Sequence, residues 1–244
     1  MSLEVAKIHL KTVTSTNTWA KENASHFDLS KMTRVTASEQ TQGRGRFNRS
    51  WISPEDVNIY VTYFFTIKKN GVDLNNLSQL LCLSIVKMLH HQKLAPQIKW
   101  PNDILVHGKK IAGILCEVVD QDDQHGIVIG AGLNVNMTKE DLDLIDQPAT
   151  SLLLERGEVL PLDPLLDLLD TFFAADLSLY KAEGFKPFYK TYDELLTHKG
   201  QPITLRQNGD ALTGTLHSLN PDGRLNLLLP SGEIKTVSTG EIKK

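Results

Sequence analysis

Apolar and polar positions alternate loosely over residues 5–13, which predicts a first strand. Ser15, Thr16 and Asn17 follow with short polar side chains suited to a helix start, predicting a helix through Glu22. In segment 57–66, Ile59, Val61, Tyr63 and Phe65 fall at every second position, the period of a strand. From Asn76 to about Gln92, Leu77, Leu80, Leu81, Ile85, Met88 and Leu89 recur at helical spacing and form one apolar stripe. Three apolar runs come next, 97–106 (broken by Pro101), 110–119 and 126–135. The turn residues His107, Gly108 and Lys109 and the polar stretch 121–126 separate them, predicting an antiparallel meander.

Asp163 as a cap with Pro164 at the first helical position predicts a second long helix through Phe172 and Phe173 towards Tyr180, and a short helix should end near His198. The composition changes at Lys199 and Gly200. Short strands (ITLRQ, LTGTLHSL, RLNLLL, IKTVS) then alternate with NGD, NPDG and PSG turns, a small β-barrel pattern that at this length should lean on a larger partner. The expected fold class is α+β: a mixed, mainly antiparallel sheet flanked by helices over residues 1–195, then a small barrel over 196–244.

A net charge of -3 argues against a surface built to neutralise many phosphates of a nucleic acid. Cys82 and Cys116 stand alone in apolar stretches, as buried thiols do in a reducing compartment. No apolar run approaches the ~20 residues that span a bilayer, and the first residues lack a secretory h-region, so a cytoplasmic location is expected. The chain has no GxxxxGK[ST] phosphate loop, no complete dinucleotide fingerprint in GAGLNV, no HExxH spacing and no GxSxG elbow.

Three constellations remain. QTQGRGRFNRSW (residues 40–51) holds Gly43, Arg44, Gly45, Arg46, Arg49 and Trp51. Glycine permits close backbone approach and arginine matches carboxylate and phosphate, so the loop suits an anion, and an extended backbone would aim Arg44 and Arg46 at one ligand. A solvated basic loop or an RNA contact accounts for its composition equally well. In KWPND, Pro101 leaves Asn102 and Asp103 at a bend, as in an ordinary turn or beside a ligand. Lys110 opens KIAGIL and must either snorkel or meet a buried anion. Gly113, with Gly130 and Gly132 on the next run, thins two strands, leaving a slot for a ligand or for tight packing. Asn134 follows on that strand.

In this order, STN at 15–17, GRGR with Arg49 and Trp51, KWPND at 99–103, KIAGIL at 110–115 and the Gly130, Gly132, Asn134 run, the chain resembles the biotin protein ligase family. Asn48 stands where that family's loop usually has glycine. The resemblance implies a class II synthetase-like catalytic domain with a C-terminal SH3-like barrel, acting on ATP and biotin with Mg²⁺ to form biotinyl-5′-AMP. The biotinyl group then passes to a lysine of a biotin carboxyl carrier domain, of acetyl-CoA carboxylase or a similar enzyme.

It implies Lys110 and Arg46 as catalytic residues. Ser15, Thr16, Asn17, Gln40, Gly43, Arg44, Gly45, Arg46, Lys110, Gly113 and Gly132 would contact biotin or adenylate. Arg49, Trp51, Asn102, Asp103 and Asn134 would serve ATP, with Asp103 towards the metal. Trp51 would cover the ligand or pack beneath the loop. The monofunctional type without operator binding is expected, with homodimers known in the family. A lipoate or octanoyl ligase and a non-catalytic biotin-binding module are the alternatives.

Overall fold

The computed structural model describes residues 3–69, 74–121, 123–207 and 210–243. A seven-stranded sheet of order β1-β2-β3-β7-β6-β5-β4 forms its centre. The strands are β1 (Val5–Val13), β2 (Met32–Gln40), β3 (Ile59–Lys68), β4 (Gln97–Lys99), β5 (Asp103–Val106), β6 (Lys109–Gln121) and β7 (Gln124–Leu133). β1 and β2 pair in parallel across helix α1 (Thr16–Glu22), and every other pair is antiparallel. The mixed, mainly antiparallel sheet is as the periodicity predicts.

β3 is buried over nine consecutive residues, because both of its faces are covered. On one face Phe64 joins Val35, Val128 and Ala20 of α1. On the other lie α2 (Leu77–His91) and α5 (Leu162–Glu183), with the rings of Tyr63 and Phe173 4.9 Å apart. Asp170 of α5 receives Arg34 at 2.7 Å and the Tyr63 hydroxyl at 2.8 Å. Burial pushes its carboxyl up, with Arg34 pulling it back. α5 begins earlier than expected: Pro161 occupies the cap position and Asp163 falls within the first turn. The β5–β6 turn has positive φ at both His107 (49°) and Gly108 (75°), a type I′ hairpin as its sequence suggests.

Two short helices follow β7, α3 (Lys139–Leu142) and α4 (Leu152–Arg156), and α6 (Tyr189–Leu195) ends three residues short of His198, which itself takes φ 64°. The C-terminal strands β8 (Pro202–Gln207), β9 (Asp210–Leu219), β10 (Leu225–Leu228), β11 (Ile234–Val237) and β12 (Glu241–Lys243) form one antiparallel sheet of order β11-β10-β9-β8-β12. β12 was not foreseen, and the NGD turn falls partly on residues 208–209, outside the described ones.

This sheet leans on the larger one. Ile203, Leu216, Leu227 and Ile242 belong to the same apolar cluster as Leu77 and Trp100. Its 220–223 turn is gripped by Asn76 (to Asp222 O, 2.9 Å), Gln79 (to Gly223 O, 2.8 Å) and the Trp100 indole (to Gly223 O, 3.2 Å). Gly223 is obligatory there: its φ is 80°, and a Cβ would lie 2.0 Å from Asn76 Nδ2. No helix among the described residues is long and apolar enough to cross a membrane.

Candidate active site

A cavity of about 420 Å³ opens between the start of α1, the 43–51 loop, the ends of β5 to β7 and the segment after α3. Every residue expected at the site lines it except Gly43. Gly43 lies under the loop, where a Cβ would come within 2.4 Å of Trp51 O.

The inner end is built from amides and hydroxyls. Ser15, Thr16 and Asn17 are buried. Ser15 holds the cap position of α1 without capping through its side chain; instead Gln40 Oε1 accepts the Thr16 N–H at 2.9 Å. Thr62 Oγ1 stands 2.7 Å from Asn17 Oδ1 and 2.8 Å from Thr16 Oγ1. An amide oxygen cannot donate, so the single Thr62 proton goes to Asn17, and the Thr16 hydroxyl, 3.2 Å from Gln40 Oε1, has one proton for Thr62 and Gln40 to share. Both Asn17 N–H groups are used, on Leu115 O (3.2 Å) and Glu117 Oε2 (3.0 Å), and one N–H of Gln40 reaches Ser53 Oγ at 3.0 Å. What the two amides still offer is an acceptor lone pair on Asn17 Oδ1 and one Gln40 N–H, since Gln40 Oε1 faces both the N–H and the hydroxyl of Thr16. A head group with N–H donors and a carbonyl would complete the set.

The outer end is cationic. The loop is a short hairpin, with Gly45 N donating to Arg49 O at 2.7 Å and Trp51 N to Gly43 O at 2.8 Å. Arg46–Asn48 form a 3-10 turn in which Phe47 takes φ 55°. The Asn48 side chain lies outside the described structure, so the left-handed position described in this turn is its neighbour's.

This turn corrects the expectation that Arg44 and Arg46 point together. Arg44 reaches Thr18 Oγ1 at 2.9 Å, with Glu117 at 3.5 Å, whereas Arg46 reaches Asn102 Oδ1 at 3.1 Å and Gly240 O at 3.2 Å. Arg49 forms a two-pronged pair with Glu241 at 2.5 Å.

Lys110 does not snorkel. Its Nζ is 2.7 Å from Asp103 Oδ1, both side chains being mostly buried, and lies 5.3 Å from the centre of a Trp51 ring. Trp51 fills the glycine slot. A Cβ on Gly132 would fall 2.3 Å from its indole, and one on Gly113 3.1 Å from the indole and 3.0 Å from Lys110 Cε. The expected room beside those glycines is therefore taken by an indole, whose buried N–H has no partner among the described residues. Asn102 donates to Ile114 O at 2.6 Å, and Asn134 to Thr150 O at 3.0 Å, tying the segment after α3 to β7. Among the described residues no three His, Cys, Asp or Glu side chains gather to hold a metal.

Phe47, Leu144, Asp146 and Glu241 also line the cavity and were missed from sequence. No local pattern marks them.

A profile of the biotin/lipoate A/B protein ligase family matches residues 10–134, just over half of the 244-residue chain. The chain belongs to that family. A second profile, of the biotin protein ligase C terminal domain, matches residues 198–244. Within the family, the chain is 31% identical over 210 residues to the bifunctional ligase/repressor BirA of Escherichia coli, covering 84% of this chain and 64% of that protein. It thus spans under two thirds of that relative's length. It is 30% identical over 214 residues to the biotin–[acetyl-CoA-carboxylase] ligase of Paracoccus denitrificans, covering 84% and 87%. Among solved structures, the biotin protein ligase from Aquifex aeolicus in complex with biotin and ATP aligns at a TM-score of 0.83 and 29% identity, over 98% of this chain and 97% of that one.

Proposed function

We propose that this chain is an ATP-dependent biotin protein ligase. The observation that carries the reading is one cavity joining a buried amide end, Ser15 to Asn17 with Gln40, to a cationic end holding Lys110, Arg46 and Arg49. A ureido ring supplies the N–H groups and carbonyl that the first end lacks, and a carboxylate with a triphosphate suits the second.

In the first step the biotin carboxylate attacks the α-phosphate of ATP, giving biotinyl-5′-AMP and pyrophosphate. Lys110, held by Asp103, stabilises the charge gathering on the carboxylate and phosphate oxygens. Arg46 secures the phosphate end, and Arg44, anchored on Thr18 and Glu117, keeps the loop over the adenylate, excluding the water that would hydrolyse it. Arg49 exchanges Glu241 for phosphate. Trp51, Asn102 and Asn134 bound the nucleotide end. In the second step the amine of an acceptor lysine attacks the acyl carbon and AMP leaves. Mg²⁺ enters as part of MgATP: Asp103 and Asn102 are too few oxygen donors for a resident ion and suited to one already carried by phosphates.

The acceptor is a biotin carboxyl carrier domain of acetyl-CoA carboxylase or a similar enzyme. A lipoate or octanoyl ligase is the second reading, but a dithiolane or alkyl tail leaves the Asn17 and Gln40 groups unpaired. A non-catalytic biotin-binding module would have no use for the Lys110–Asp103 pair. The test is incubation with ATP, Mg²⁺ and either biotin or lipoate beside a carboxyl carrier domain, followed by intact mass. Biotin labelling is expected; labelling by lipoate alone overturns the substrate.

A further inference from the structure

Glu117 lies on β6 outside the cavity lining, yet it touches the first segment of the site and the loop that covers it. Its carboxylate accepts from Asn17 Nδ2 at 3.0 Å and Lys21 Nζ at 2.9 Å, with Arg44 Nη2 at 3.5 Å.

Asn17 is 4% exposed and crosses Gly130 so closely that a Cβ there would sit 2.1 Å from its Oδ1. An asparagine amide has two orientations of equal shape, and its partners choose between them. Here both partners of Nδ2, Glu117 and the Leu115 carbonyl, are acceptors without a proton. Turning the amide over would set Oδ1 against two acceptors and Nδ2 against the Thr62 hydroxyl, losing two bonds and creating two repulsions.

We infer that Glu117 is a positioning residue for ligand specificity: with the Leu115 carbonyl it locks Asn17 so that this side chain offers the cavity a hydrogen-bond acceptor and no donor. This selects a head group carrying an N–H and disfavours one presenting only acceptors. It rests on the proposed function for the identity of that head group. The carboxylate is kept ionised for the task. Burial alone would push it up, but the hydrogen bonds from Lys21 and Asn17, with the charges of Lys21 and Arg44, hold it below the usual range.

The neutral variant Glu117→Gln keeps the shape but can turn a donor as well as an acceptor to Asn17, which leaves the Leu115 carbonyl alone to hold the amide. Calorimetric titration of the full chain should show biotin binding weakened at least fivefold, with MgATP binding within twofold of wild type. A smaller loss for biotin, or an equal loss for both ligands as a merely structural defect would give, overturns the inference. A ligand-free measurement covers the case in which the variant does not fold. In wild type the Asn17 side-chain amide protons, assigned by their loss in Asn17→Ser, should exchange at least tenfold more slowly than those of free asparagine; equal rates overturn the assignment. A wild type that binds no biotin defeats the proposed function, while the exchange rates still decide the orientation of Asn17.

Discussion

Gly130→Ala adds one methyl group where β7 passes under Asn17. The new Cβ would lie 2.1 Å from Asn17 Oδ1 and 3.2 Å from Thr62 Oγ1, so the asparagine must retreat by about 1 Å. Overpacking of this kind costs about 1–3 kcal/mol, and the displaced amide also loses bonds to Thr62, Leu115 and Glu117, each worth about 1 kcal/mol. Together these come to about 4–6 kcal/mol, a melting point lower by roughly 8–24 °C for a chain of this size. Because Asn17 belongs to the inner end of the cavity, biotin binding should weaken by about tenfold or more, while MgATP binding stays near wild type.

Gly126→Ala on the same strand is the control. Its Cβ meets the side chains of Val119 and Gln121, away from the cavity, so it should cost stability without touching biotin. Calorimetric titration of both variants with biotin and with MgATP, beside melting curves, reads the split. Biotin affinity within twofold of wild type in Gly130→Ala would refute the placing of Asn17 at the head-group end.

Lys110→Ala should fold, with a modest loss from the unpaired Asp103, yet lose adenylate formation by about 10²–10³, the cost of removing one charge-stabilising donor, as read by pyrophosphate exchange. Neither cysteine should react with a thiol reagent at pH 8 in the native protein: Cys82 is sealed, and burial with the nearby Glu117 charge pushes the Cys116 thiol up to about 12, leaving about 10⁻⁴ of it as thiolate. Rapid labelling of either contradicts this. Glu117, whose native carboxyl is held below its ordinary value, contributes stability that is present above about pH 4.3 and is lost as pH falls through the lowered native value. Denaturant titrations should therefore show the gap between wild type and Glu117→Gln closing between pH 6 and pH 3.5; a constant gap would contradict the assignment.

The parts of this molecule legible in its sequence are those governed by local rules. The α2 stripe, the β5–β6 hairpin and the interrupted KWPND strand depend on periodicity and turn chemistry within a few residues, and the structure bears them out. Five motifs in order sufficed to collect the residues of one cavity. What could not be read depends on contacts across the chain. Gly130 is bare because Asn17, more than 100 residues earlier, crosses it. Trp51 packs into the glycine slot because β6 and β7 run side by side beneath the loop. Arg44 and Arg46 diverge because the extended backbone ends at Gly45 and Arg46 opens a 3-10 turn, which alternation along a strand does not anticipate. Glu241 reaches the rim only because the 220–223 turn docks the C-terminal sheet against α2 and Trp100.

A cavity that joins a biotin carboxylate to the α-phosphate of ATP reveals itself in isotope exchange between pyrophosphate and ATP without any acceptor protein. Exchange should require both biotin and Mg²⁺ and should not be supported by lipoate. Absence of biotin-dependent exchange, or exchange driven equally by lipoate, would contradict that reaction.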